Sequence, residues 1–238
     1  MLPRGVSVTL VEPKGPVNVG QIARLVKNFG VEKLYLVNPK FDVSVAAMYA
    51  SHAADVLDTA TVTSFQKVRE QNEMLVATTA VRARRKSNLI RRTVSPGAVR
   101  ALLSAAKTSS LVFGRDSTGL TNEEIGMCDA TTTIETSTAY RSLNLGHAVA
   151  ILLYLVYSGG GGKRPTQSRK AREVFARNLI DLGTASKMPD HKVRHLFDAG
   201  KRVAATSGLT DSQLNLLSGV LRKAVERIDF LQDKDSKA

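Results

Sequence analysis

Three short segments of the chain combine glycines with side chains that can hold anions or orient a hydroxyl group. They read Asn18-x-Gly20-x-x-x-Arg24, Phe113-Gly114-x-Asp116-x-x-Gly119-Leu120 and Ser142-Leu143-Asn144-Leu145. An arginine keeps its proton in proteins, so Arg24 is suited to clamping a phosphate rather than to accepting a proton. Asn18, Ser142 and Asn144 can hydrogen-bond polar groups of a substrate, and so can the Asp116 carboxylate. The same residues also occur as helix caps, packing glycines or exposed side chains, and one segment alone decides little.

The sequence lacks the residues that a metal site, a disulfide, a P-loop or a dinucleotide-binding motif would require. The four histidines are scattered and Cys128 is the single cysteine, so the sequence predicts neither a metal site nor an internal disulfide. A glycine run at Gly159–Gly162 precedes Lys163, but Tyr157 stands where a phosphate-binding P-loop requires its first glycine. A dinucleotide-binding enzyme is also disfavoured, because no G-x-G-x-x-G follows the first predicted strand.

The charge of the chain predicts a polyanionic partner. Lys and Arg number 34 against 21 Asp and Glu, which gives a formal net charge of +13 at pH 7. No acidic residue occurs between Met74 and Arg115, and this stretch carries a basic segment at Arg82, Arg84, Arg85 and Lys86. We expect these four side chains to contact an RNA phosphate backbone, although a solvated surface remains the alternative. An anionic membrane surface is a further alternative, because the C-terminal helices are basic and amphipathic.

The elements that position these segments alternate between strands and helices. The pattern predicts strands at 6–11, 33–37, 61–63, 74–78, 110–113 and 130–134, and helices from Pro16 and over 46–57, 64–71, 96–106 and 143–156. Such alternation indicates an α/β domain with a mostly parallel sheet and helices on both faces. Ligands of these folds bind beyond the carboxyl ends of the strands, which is where all three segments lie.

A second region follows a glycine-rich connector. We predict an α/β domain at 1–157, a linker at 158–165 and a small all-helical domain at 166–238, with helices at 168–183, 190–206 and 210–231. Thr210 or Asp211 is expected to cap the last helix. No apolar run approaches the roughly 20 residues that span a bilayer, and the amino terminus does not resemble a signal peptide, so we expect a cytoplasmic protein.

Taken together, the three segments resemble the ordered motifs of SpoU/TrmH-type RNA 2′-O-methyltransferases of the SPOUT superfamily, over residues 6 to about 157. The sequence around Leu111–Glu124, together with the basic helical extension, is most similar to the TrmJ branch. This chain departs from the family in having Asp116 where most members have glutamate. It also lacks the proline that many members carry shortly before Ser142.

The resemblance implies an S-adenosylmethionine-dependent enzyme that methylates a tRNA ribose, at nucleotide 32 of the anticodon loop, and that needs no metal. It also implies a C-terminal trefoil knot in the α/β domain and a homodimer in which residues of two chains meet at the active site. Arg24, Asn18, Ser142, Asn144 and Asp116 would then be catalytic. The cofactor pocket would be formed by Thr78, Thr79, Ala80, Gly114, Ile134 and Leu143, and Arg115 would be a further contact to RNA phosphate. A non-catalytic RNA-binding protein on the same fold is the alternative.

Overall fold

The computed structural model describes residues 1–80, 93–137, 139–159 and 167–235. The predicted RNA contacts Arg82, Arg84, Arg85 and Lys86 lie outside these residues, as does most of the predicted linker. The chain divides into two compact units, Met1–Arg164 and Pro165–Ala238.

Over its described residues, the first unit contains one parallel sheet of seven strands: β1 (Val6–Val11), β2 (Lys33–Val37), β3 (Thr61–Thr63), β4 (Met74–Thr78), β5 (Thr93–Val94), β6 (Ser109–Phe113) and β7 (Ala130–Thr132). The strand order is β3-β2-β1-β6-β4-β7-β5, and every pairing is parallel. The central strands β1 and β6 are buried along their whole length. Such burial is expected of a sheet covered on both faces, and the predicted α/β class is confirmed.

Helices cover both faces of this sheet. They are α1 (Pro16–Phe29), α2 (Val43–Ala50), α3 (Ala54–Asp58), α4 (Phe65–Gln71), α5 (Pro96–Ser104), α6 (Asn122–Met127) and α7 (Leu145–Ser158). Side chains of α4 and α6 pack on one face in a core with Leu75, Ala77 and Val112. Helix α7 packs against both α1 and α5, and strand residues that point away from this core, such as Leu10, Leu36 and Val76, are buried as well.

Several predicted element boundaries are wrong, and the short strand β5 was not expected from the sequence. A single helix over 46–57 does not form: Ser51 has φ of 52°, and a short 3-10 turn at Ser51–Ala53 separates α2 from α3. Strand β7 ends at Thr132, which leaves Ile134 in the following loop. Helix α7 begins at Leu145 rather than at 143, because Asn144 is its N-cap and accepts a hydrogen bond from the His147 backbone N–H. The predicted knot is not decided by strand order and stays a prediction.

A buried ion pair braces the amino-terminal side of the sheet. Nη1 of Arg69 on α4 lies 2.6 Å from Oδ2 of Asp129, which precedes β7, and both side chains are almost fully buried. The same Asp129 oxygen accepts the backbone N–H of Leu75 on β4 at 2.8 Å. This pair therefore ties α4 to two strands at the edge opposite the three motif segments.

The described part of the second unit contains three helices, as predicted: α8 (Arg169–Ala185), α9 (Asp190–Ser207) and α10 (Asp211–Asp235). They share a small core of Ala171, Ala204 and Leu214. Thr210 is the residue that caps α10, because its hydroxyl accepts the Gln213 N–H at 3.2 Å. Asp211 instead accepts the backbone N–H of Ser168. None of the helices among the described residues has the length and apolar character required to cross a bilayer.

Candidate active site

The first segment is positioned by the junction between β1 and α1. Pro16 occupies the first turn of α1, where its missing N–H costs nothing, and Asn18 follows within that turn. Gly20 lies against α2: a Cβ at this position would fall 2.4 Å from the Ala46 carbonyl oxygen. Gly20 is therefore a packing residue that lets α1 and α2 approach closely.

The second segment folds back on itself directly after β6. A Cβ on Gly114 would fall 2.2 Å from the carbonyl carbon of Gly119 and 2.3 Å from the backbone nitrogen of Leu120. Arg115 and Gly119 exchange two backbone hydrogen bonds of 3.2 and 3.0 Å, and Gly119 has φ of 69°. Only glycine fits at position 114 without displacing this loop.

A pocket of about 380 Å³ lies where β4, β6 and β7 end. All six residues predicted to bind the cofactor line it: Thr78, Thr79, Ala80, Gly114, Ile134 and Leu143. Asp116 and Ser142 of the predicted catalytic set line it as well. Its volume lies within the range of sites that hold small ligands, and its wall mixes apolar side chains with backbone and hydroxyl groups. These features fit S-adenosylmethionine, which has both apolar and polar parts.

A chain of hydrogen bonds links the three motifs. Nδ2 of Asn144 donates to Oδ1 of Asn18 at 2.9 Å, and Nδ2 of Asn18 donates to Oδ1 of Asp116 at 2.6 Å. The aspartate therefore reaches its partner even though most family members carry the longer glutamate. Asn18 and Asn144 do not line the pocket themselves but are joined to Asp116, which does.

Arg115 lies in the pocket wall with its charge already balanced. Its guanidinium donates two hydrogen bonds of 3.0 Å to the Glu124 carboxylate, one of 2.9 Å to Glu12 and one of 3.2 Å to the Gly119 carbonyl. These contacts raise the pKa of Arg115, and hydrogen bonding by Arg115 lowers the pKa of Glu12 below its usual value. The predicted phosphate contact of Arg115 finds no support here. Its side chain instead joins the ends of β1 and β6 to the start of α6.

Arg24 is the predicted catalytic residue that lies apart from the pocket of its own chain. It is exposed on α1 and is absent from the pocket lining. Within the described part of the chain, its side chain makes no hydrogen bond or ion pair.

Arg141 is a pocket residue that sequence reasoning missed. It lines the pocket and is exposed, and it directly precedes Ser142. Its position beside the third motif was visible in the sequence, but nothing in its residue type distinguished it from other surface arginines. Over residues 1–80, 93–137, 139–159 and 167–235, no cluster of His, Cys, Asp and Glu has the composition to hold a metal ion.

The fold and pocket define an α/β enzyme that binds a small cofactor at the carboxyl edge of its sheet. A model of the SpoU rRNA Methylase family matches residues 5–154. The tRNA (cytidine-2′-O-)-methyltransferase TrmJ of Sulfolobus acidocaldarius is 35% identical over 237 residues, which cover 98% of both chains. The tRNA (cytidine/uridine/adenosine-2′-O-)-methyltransferase TrmJ of Pseudomonas aeruginosa is 31% identical over 91% of this chain and 92% of that one. The structure of a methylase family protein from Haemophilus influenzae is 25% identical, with a TM-score of 0.64, and the match covers 96% of this chain and 99% of that one.

The chain therefore belongs to the SpoU methylase family, and within it to the TrmJ group. It is a methyltransferase, and enzymes of this family are S-adenosylmethionine-dependent. The family and the cofactor expected from the sequence are thus confirmed.

Proposed function

We propose that this enzyme methylates the 2′-hydroxyl of a ribose in tRNA, at nucleotide 32 of the anticodon loop. The observation that carries the proposal is the similarity to named tRNA 2′-O-methyltransferases over nearly the whole chain, including the C-terminal helical unit. The net charge of +13 supports a nucleic-acid substrate. Nucleotide 32 follows from the resemblance to the TrmJ branch alone.

The pocket residues Thr78, Thr79, Ala80, Gly114, Ile134 and Leu143 would hold the cofactor, largely through backbone groups at the strand ends. When bound, S-adenosylmethionine supplies an electrophilic methyl group on a sulfonium. The protein must therefore orient the ribose 2′-hydroxyl and give its proton a path. The hydrogen-bonded side chains of Asn18, Asp116 and Asn144, together with Ser142, lie at the pocket and would orient the ribose and the adjoining loop.

Arg24 would clamp the phosphate next to the reacting ribose through its planar fork of donors. A phosphate oxygen or a water molecule would then receive the 2′-hydroxyl proton, because a guanidinium cannot act as a base at neutral pH. Since Arg24 lies outside the pocket of its own chain, it would act in the pocket of a second copy.

A homodimer fits this arrangement. Large apolar side chains are exposed on α1, α2 and α7, including Met48 at 79%, Tyr154 at 60% and Val17 at 40%. Burying such side chains against a second copy would remove their apolar area from water. Val17 belongs to the same helix as Arg24, so a contact there would carry Arg24 towards the partner.

The basic segment at Arg82, Arg84, Arg85 and Lys86 and the helical unit 166–238 would bind the tRNA backbone, with 158–165 as the linker. Ser158 and Gly159 belong to the end of α7, so the connecting stretch would begin after them. A cytoplasmic location stays a prediction.

The test of the activity is methylation of a tRNA transcript with labelled S-adenosylmethionine, followed by mapping of the modified nucleotide. The matched control is the same tRNA with a 2′-deoxyribose at nucleotide 32. We expect label in the first substrate and none in the second. Equal labelling of both would refute nucleotide 32. No labelling of any tRNA, despite normal binding of tRNA, would favour the non-catalytic alternative.

The test of the shared active site is subunit complementation. Arg24→Ala and Gly114→Ala chains, co-expressed with different tags and purified as the mixed dimer, each lack one half of the site. If Arg24 acts in the partner's pocket, the mixed dimer contains one intact site and recovers about half of the wild-type activity. If Arg24 acts in its own chain, no site is intact, and the mixed dimer stays as inactive as the two parent variants.

A further inference from the structure

Among the residues that the structure describes, two arginines line the pocket, and they differ in their exposure and in their ion-pair partners. The Arg115 guanidinium is surrounded by the Glu12 and Glu124 carboxylates, and its side chain is only 18% exposed. Arg141 is exposed, and no described residue forms an ion pair or hydrogen bond with its side chain. Asp116, the carboxylate of the pocket lining, already accepts a hydrogen bond from Asn18. Among the described pocket residues, Arg141 is therefore the cation whose charge is left for a ligand.

The backbone around Arg141 is held in place while its side chain is not. The Arg141 carbonyl accepts a hydrogen bond of 3.3 Å from the Thr136 hydroxyl, which closes the loop between β7 and α7. Three residues later, Asn144 fixes the start of α7 as its N-cap. The side chain thus projects from an anchored point of the pocket wall next to Ser142, beside the reaction centre of the proposed function.

We propose that Arg141 binds a phosphate of the RNA strand next to the reacting ribose, as a substrate-binding residue that acts alongside Arg24. This inference rests on the proposed function and names a substrate contact in the same site. An exposed cation without an ion-pair partner in the pocket wall is suited to binding an anion, and the cofactor's own carboxylate is the competing source of that anion.

The surroundings of Arg141 favour RNA over that carboxylate. Its neighbour in the sequence, Tyr140, is 78% exposed, so an aromatic ring and a guanidinium are both accessible on this loop. Exposed aromatic and arginine side chains are what proteins use to contact unpaired bases and the phosphates between them.

The experiment compares full-length Arg141→Ala and Arg141→Lys with wild type. Arg4→Ala is the matched control, because Arg4 is also exposed but lies just before β1, at the opposite edge of the sheet. Affinity for a tRNA transcript is measured over a range of salt concentrations, and affinity for S-adenosylhomocysteine is measured by calorimetry. Loss of one phosphate contact should flatten the slope of log affinity against log salt by about 0.7. The same contact corresponds to about fivefold in affinity at 0.1 M salt.

We expect Arg141→Ala to show both effects and to bind S-adenosylhomocysteine within twofold of wild type. Arg141→Lys should keep most of the salt slope, because an ammonium still neutralises a phosphate, and Arg4→Ala should match wild type. An unchanged slope in Arg141→Ala would overturn the proposal. An unchanged slope combined with tenfold weaker S-adenosylhomocysteine would assign Arg141 to the cofactor carboxylate. Failure of the proposed function has a separate signature, because wild type would then methylate no tRNA at all.

Discussion

A single methyl group added at Gly114 should weaken cofactor binding by at least about 10²-fold, at a cost in stability that the fold can tolerate. The Cβ of Gly114→Ala would meet Gly119 and Leu120 at 2.2 and 2.3 Å. Both neighbouring atoms belong to the backbone, so no side chain can rotate away. Ordinary contact begins at 3.4 Å, and the loop 115–120 would therefore have to retreat by about 1.2 Å.

The size of the effect follows from what that loop does. It forms one wall of the pocket, and its position is set by the Arg115–Glu124 contact and the Arg115–Gly119 backbone pair. Overpacking of this kind costs about 1–3 kcal/mol of stability. A displacement of about 1 Å in an active site costs on the order of 10²-fold in rate. We therefore expect Gly114→Ala to lose at least about 10²-fold in affinity for S-adenosylhomocysteine and in turnover.

The assay is calorimetric titration with S-adenosylhomocysteine, together with urea unfolding. Gly126→Ala is the matched control: Gly126 lies in α6, shortly after the same loop, and a Cβ there meets nothing within 4 Å. The control should bind normally and gain up to about 1 kcal/mol from the better helix propensity of alanine. Binding by Gly114→Ala within threefold of wild type would refute the reasoning, because the loop would then not shape the cofactor site.

Four other perturbations test separate parts of the structure. Arg24→Ala should reduce the rate of single-turnover methylation by on the order of 10²-fold with nearly unchanged affinity for S-adenosylhomocysteine. Arg24→Lys should remain impaired. Normal turnover by Arg24→Ala would show that Arg24 is not part of the site. Asp129→Asn should lower the free energy of unfolding, measured in urea, by about 3 kcal/mol, because it removes the carboxylate charge that pairs with the buried Arg69. A decrease below about 1 kcal/mol would contradict this. Hydrogen bonding by Arg115 lowers the pKa of Glu12, so the contact between them stabilises the fold fully above the ordinary pKa of 4.5, and this stabilisation is lost as pH falls through the lowered pKa. Glu12→Gln should lose this part of the acid dependence of stability. A stability profile below pH 4.5 that is the same in Glu12→Gln as in wild type would count against the contact. A chain ending at Gly159 should bind S-adenosylhomocysteine normally but bind tRNA more weakly, and equal tRNA affinity would exclude the helical unit from the interface.

The longer strands were predictable because they are rich in β-branched and apolar residues, although β1 and β6 also bury serine and threonine side chains. Burial on both faces of a parallel sheet favours this composition. The two-residue strand β5 was not predicted, because so short a segment carries no periodic pattern. The break between α2 and α3 was not predictable, because it depends on a left-handed backbone at Ser51 that local sequence did not signal. The start of α7 is not fixed by local sequence, because the apolar run begins at Leu143 whereas the hydrogen-bonded cap is Asn144.

The pocket lining was predictable from motif positions, whereas the pairings within the site were not. Arg115 and Glu12 are 103 residues apart, and Asn18 and Asp116 are 98 apart. The fold alone brings such pairs together, so no local pattern indicates that one arginine is neutralised. Arg141 was not predictable for the same reason, because it is distinguished from Arg115 only by the carboxylate partners that the fold gives to Arg115.

Because Arg24 is exposed and lies outside the pocket of its own chain, assembly of two chains would control the methylation activity. The other predicted catalytic side chains lie in or against the pocket of one chain, joined by hydrogen bonds from Asn144 through Asn18 to Asp116. Asn18 belongs to the same helix as Arg24, and it points into its own chain's site while Arg24 remains on the surface. One helix would then serve two pockets, with its first turn orienting the ribose in one and its third turn clamping a phosphate in the other. An isolated chain could bind cofactor in such an arrangement but would lack the clamp, so methylation would depend on assembly while cofactor binding would not.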